Sequence, residues 1–205
     1  LPLVRLSQAE IDAIVAGVPG GAANVQDVYP LAPLQEGILF HHLMVREGDP
    51  YLLGIPFLFD RREELDAWPA ALRAAIPRHD LLRTAVVWEG LSEPVQVVWR
   101  DAPLPVRTEE VDPAGGDPAR QLYERYDPLR HRVDVRRAPL LRAHVARDPA
   151  GERWALLLRI HHLASDHATL ASLWAEIEEH LAGRADRLPP VLPFRGFVAQ
   201  ARLGV

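Results

Sequence analysis

The 205 residues include no cysteine, which excludes a disulfide framework, a thiolate nucleophile and a zinc–thiolate site. No apolar run approaches the roughly 20 residues that a membrane-spanning helix requires. The N-terminus lacks the basic-then-apolar pattern of a secretory signal, so a cytoplasmic address is expected. Formal net charge is −5, and no run of basic residues interleaved with aromatics occurs, so nothing recommends a nucleic-acid partner. A glycine-rich phosphate loop is missing too, which leaves a nucleotide-binding doubly wound fold without support. What is present is a chain 48% hydrophobic and 25% charged, ordinary for a globular protein and enough to bury one sizeable core.

Residues 1–26 read as a connector. Ser7-Gln8-Ala9-Glu10 forms a capping box that opens a short helix through about Val15, which Gly17, Pro19, Gly20 and Gly21 end. A chain starting without methionine suggests a piece of a longer polypeptide. Beyond it, Pro33 suits the first turn of a helix carrying Leu34, Ile38, His41 and His42. A strand follows over Tyr51–Asp60, then a helix over about Leu65–Ile76 with Pro69 placed in its first turns. Two strands around Gly90 predict a hairpin. The turn at Asp148-Pro149-Ala150-Gly151 predicts that Arg142–Val145 and Arg153–Ile160 pair antiparallel.

The stretch with the densest chemistry is Arg159–Leu170, where a strand breaks and a helix begins. Trp154, Leu156, Leu158 and Ile160 share one parity, so His162 is expected to end an inward-facing apolar row. His161 then lies on the other face with Ala155, Leu157 and Arg159. Asp166 precedes the helical pattern Leu170, Leu173, Trp174, Ile177 as an N-cap. Adjacent strand histidines diverge, and the spacing is not the helical two-histidine arrangement of metalloproteases, so no metal is expected. Two polar rings closing a core would be the purely structural reading of the same pair.

Four segments in order then carry a resemblance. Tyr29–Phe40 is similar to the opening motif of nonribosomal peptide synthetase condensation domains, and Arg78–Thr84 to their Arg-His-Glu-x-Leu-Arg-Thr motif with Asp80 for glutamate. His161–Asp166 is similar to the signature HHxxxDG, and Phe194–Ala199 stands where a fourth motif is expected. The fold implied is α/β: one lobe of the chloramphenicol-acetyltransferase-like two-layer sandwich, a mixed sheet with helices packed on it. Residues 27–205 would be the N-terminal lobe, its C-terminal lobe absent, and residues 1–26 a linker from a preceding carrier domain. His41-His42-Leu43 with Gly48-Asp49 also resembles HH(I/L)xxxxGD, the mark of dual epimerization/condensation domains.

That resemblance implies a peptide-bond-forming acyltransferase that first inverts the Cα of the upstream peptidyl thioester. A plain condensation lobe, or a carrier-binding module inactive when isolated, is the alternative. A stand-alone acyltransferase using coenzyme A is weakened by the connector and the missing lobe. By the resemblance His162 is catalytic, as proton acceptor or as a group that orients the amine, and His42 with His41 supplies or positions a second proton carrier. Site-supporting roles fall to His161, Gly48, Asp49, Arg83 and Asp166. Asp166 is expected to cap the helix, pair with buried Arg83 or orient an imidazole. His167 replaces the family's glycine and is expected to line the channel. No cofactor is implied for the lobe itself; the phosphopantetheine arms of an upstream peptidyl and a downstream aminoacyl carrier enter as substrate tethers.

Overall fold

A computed structural model describes residues 3–149, 151 and 153–204, apart from the side chains of His167 and Leu203. The elements are α1 (Gln8–Gly17), β1 (Val25–Pro30), α2 (Pro33–Met44), β2 (Leu52–Phe59), α3 (Arg62–Ala75), β3 (Thr84–Val87), β4 (Val95–Trp99), β5 (Val106–Thr108), α4 (Pro118–Arg125), β6 (Leu141–Arg147), β7 (Trp154–His161), α5 (His167–Leu181) and α6 (Phe194–Leu203). They form the expected α/β arrangement, with the strands divided between two sheets. One is three-stranded and antiparallel, with β4 between β1 and β3; the other is four-stranded in the order β2, β7, β6, β5. The second is mixed, because the short edge strand β5 runs parallel to β6. Three residues are too few to show an alternation, and β5 has no counterpart in the sequence reading.

Central strand β7 is buried on both faces. Leu156, Leu158 and Ile160 pack with Leu65, Leu72, Leu173 and Ile177 of α3 and α5. The alternate residues Ala155 and Leu157 meet Ala119 and Leu122 of α4. The predicted hairpin is β3–β4, and β6 pairs antiparallel with β7 as expected. Helix α3 starts at Arg62, three residues before the expected position, so Pro69 lies inside it rather than in its first turns.

The capping box at Ser7 and Glu10 forms as expected. The segment expected to be a connector is not a free tether over this stretch, however. Ile14 and Val18 are buried with Ala85, Val95, Val97 and Trp99 against the three-stranded sheet, because an apolar helix face beside an apolar sheet face gains more by packing than by remaining in water.

Candidate active site

Strand β7 ends one residue earlier than the parity argument required. Its last paired residue is His161, opposite Leu52 of β2, and a 3₁₀ turn over His162–Ala164 follows. This one-residue difference exchanges the environments expected for the two rings. His161 is fully buried, whereas His162 has left the strand and is half-buried.

Each ring has one nitrogen committed. The Leu163 amide donates to His161 Nδ1 at 3.0 Å, so the neutral imidazole carries its proton on Nε2 and donates it to Asp49 Oδ2 at 3.0 Å. Burial pushes the His161 pKa down, against the raising effect of Asp49, in keeping with that neutral tautomer. His162 donates from Nδ1 to the Ser165 carbonyl at 3.0 Å, and its backbone amide donates to the Tyr51 carbonyl at 2.8 Å. Its Nε2 then holds a lone pair with no hydrogen-bond partner among the described residues.

Asp49 joins the two histidine segments. Register Leu52↔His161 brings the loop before β2 alongside His161. There the 1% exposed Asp49 accepts from His161, from His42 Nδ1 at 2.5 Å and from the Tyr51 amide at 3.0 Å. Burial raises this carboxyl, but the bonds from His161 and His42 prevail and hold it well below the usual carboxylate range. His42 lies edge-on to His161, ring centroids 5.5 Å apart, and its Nε2 is likewise unpaired among the described residues. His41 is separate: it is exposed, with Nδ1 2.6 Å from the Tyr51 hydroxyl.

His42, Asp49 and His161 each offer one ligand atom within 4.8 Å of the others. A metal ion there would need the Nε2 lone pair of His161. With Nδ1 already accepting from Leu163, Nε2 keeps its proton, so the set suits a hydrogen-bonded triad better than a coordination site.

Gly48 is needed for this approach. Its φ is +69°, and an added Cβ would lie 2.1 Å from the Leu129 carbonyl oxygen. The adjacent Asp49 amide donates to the Pro128 carbonyl at 2.7 Å. Arg132, unremarked in the sequence, donates to the carbonyls of His42 and Val45 and so closes the C-terminal turn of α2. Gln35, also missed, donates to the Leu163 carbonyl at 2.9 Å and exchanges bonds with Gln96, Nε2 to Oε1, at 3.0 and 2.8 Å. It thereby ties α2 to the turn after β7.

Of the roles open to Asp166, the structure takes helix capping: Oδ1 accepts from the Thr169 amide at 2.7 Å. Among the described residues Asp166 neither pairs with Arg83 nor orients an imidazole. Arg83 is buried but bonds Asp80 at 3.0 Å, Gln26 Oε1 at 2.8 Å and the Trp99 carbonyl. A carboxylate three residues upstream in the same turn reaches the guanidinium, while Asp166 is committed to α5. The position expected to line a channel, His167, has its side chain outside the described residues.

The model of the family described as the condensation domain matches residues 25–202. Malpibaldin synthetase of Mortierella alpina is 50% identical over 205 residues, all of this chain and 4% of that protein. A linear gramicidin synthase of Brevibacillus parabrevis is 30% identical over 204 residues, 97% of this chain and 4% of that protein. The chain thus spans only a few hundredths of the length of the curated relatives it matches. Among solved structures, the starter condensation domain of rhizomide synthetase superposes with a TM-score of 0.66 at 17% identity, covering 87% of this chain and 45% of that one. A four-domain nonribosomal peptide synthetase bound to AMP and glycine gives 0.67 at 18%, covering 86% and 13%. At these identities the solved structures speak for the fold.

Proposed function

Because this chain belongs to the condensation-domain family, we propose that it is a lobe of a peptide-bond-forming unit of a nonribosomal peptide synthetase, acting on thioesters tethered to partner carrier domains. The amine of the downstream aminoacyl thioester attacks the upstream acyl carbon, and the thiol of the upstream arm leaves. The amine must lose a proton as the carbon–nitrogen bond forms. His162 takes it, or orients the amine by accepting its hydrogen bond, through Nε2. The observation that carries this reading is the half-buried His162 ring, with Nδ1 committed to Ser165 and the other nitrogen unpaired.

The finer reading is the dual type, which epimerises the donor Cα before condensation. Inversion needs a proton removed on one face and returned on the other. A second imidazole held like the first favours it: His42 is fixed through Nδ1 by Asp49, with Nε2 unpaired. The plain condensation reading draws on the same contact, since Asp49 also holds His161 and His42 could simply complete that scaffold.

The test uses the intact synthetase with loaded carriers in deuterium oxide. His162→Ala is expected to slow peptide formation by about 10²–10⁴-fold. His42→Ala is expected to stop inversion at the donor Cα while a D-configured donor still condenses. Inversion that survives in His42→Ala but vanishes in His162→Ala refutes the two-base reading, and no deuterium entry at the donor Cα in the parent leaves plain condensation.

A further inference from the structure

The sheet face that carries α4 ends in cations. Arg142 and His144 project from β6, and Arg159 projects from β7 with the parity of His161, two residues on. Together with Arg107 of β5, Arg132, and Tyr126 just past α4, they line an open cavity of about 400 Å³.

The charges there are poorly balanced. Arg159 is 6% exposed, and burial lowers the pKa of both Arg142 and Arg159. Among the described residues neither bonds a carboxylate. Arg142 donates to the carbonyls of Pro139 and Leu141, and Arg159 to that of Arg132 at 3.5 Å. Nearby acids are engaged elsewhere: Glu109 by Arg125, Tyr126 and His144, and Asp134, also on the cavity wall, by Arg136 and Arg137. Two polar atoms on residues of the wall, Arg159 Nε and His144 Nε2, are buried without a hydrogen-bond partner among the described residues. A desolvated guanidinium with no counter-charge and an orphaned donor is costly, and such exceptions call for an explanation.

We propose that this cavity binds a small, doubly charged oxyanion of the phosphate class. Four guanidiniums, three on neighbouring strands of one sheet face and one on a loop, line the cavity, more than the single fork that a planar monocarboxylate needs. His144 gives Nδ1 to Glu109 at 3.0 Å, and burial lowers its pKa. Its Nε2 is therefore an acceptor left without a donor among the described residues, buried in the wall. The site lies outside the His42–Asp49–His161 group but shares Arg132 with it, since that side chain fixes the last turn of α2.

Calorimetric titration of the 205-residue chain with inorganic phosphate, against sodium chloride at equal ionic strength, tests this. Saturable binding is expected for phosphate alone. Arg159→Met should weaken it by about tenfold or more, yet melt no lower than the parent in phosphate-free buffer, because a desolvated charge has been removed. Arg107 is exposed, and its side chain makes no hydrogen bond among the described residues. Arg107→Gln should therefore weaken binding several-fold with melting unchanged. A phosphate monoester as second titrant separates the free ion from an esterified phosphate, and binding of either upholds the site. No saturable heat beyond chloride for either titrant, or parent-like affinity in both variants, overturns it.

Discussion

Removing the Asp49 carboxylate should be among the costliest single changes outside the apolar core. In Asp49→Ala, the Nε2–H of His161, a ring with no solvent exposure, loses its acceptor at 3.0 Å. The Tyr51 amide loses its acceptor at 3.0 Å too. His42 loses the 2.5 Å bond that fixes its orientation. With about 1–3 kcal/mol for each buried donor left unsatisfied, the expected loss at pH 7 is about 3–5 kcal/mol. The pH dependence follows from the direction of the shift. The fold depresses the Asp49 pKa, so its contribution is complete above the unfolded value, about pH 4. It drains away as pH falls toward the folded-state value. The gap between parent and variant should therefore be constant from pH 7 to about 5, then narrow by up to about 1.4 kcal/mol per pH unit. Urea unfolding of both proteins at several pH values between 7 and 3 measures this. A gap below about 1 kcal/mol at neutral pH, or one that does not shrink in acid, would refute the reasoning.

Two substitutions and one control probe the supports of this region. Gly48→Ala combines a left-handed φ with a Cβ placed against rigid backbone at Leu129, and is expected to cost more than about 3 kcal/mol in thermal unfolding. Gly37→Ala, in α2 with nothing within 4 Å of the added carbon, is the matched control and should stabilise by about 0.5–1 kcal/mol. Asp166→Ala should cost only about 1 kcal/mol, the value of an N-cap. A loss of about 3–5 kcal/mol in the same unfolding assay would instead indicate a broken buried pair.

What the chain disclosed before folding was whatever depends on near neighbours. The Ser7–Glu10 capping box, the N-cap at Asp166 and the β3–β4 hairpin each need only residues a few positions apart, and each stands where the sequence places it. The alternation along β7 was legible for the same reason; its end was not. Backbone pairing at Leu52↔His161, supplied by a strand more than a hundred residues away, sets where β7 stops and hence which histidine is sealed. Likewise Gly48 and Asp49 could be picked out, but not that Asp49 bonds His161 across 112 positions. For Arg83 the error ran the other way: a distant partner was expected where Asp80, one turn away, sufficed. The arginine-lined cavity left no trace in spacing, because its cations come from four separate segments.

The close passage of Gly48 and Asp49 against residues 128 and 129, with Arg132 reaching back to α2, bears on domain engineering. The His41–Asp49 segment is not a portable cassette. Transplanted alone into a scaffold without a matching 127–132 turn, it would arrive with its aspartate unanchored and its helix end open. A graft meant to transfer what His42 does must therefore carry both pieces of chain together.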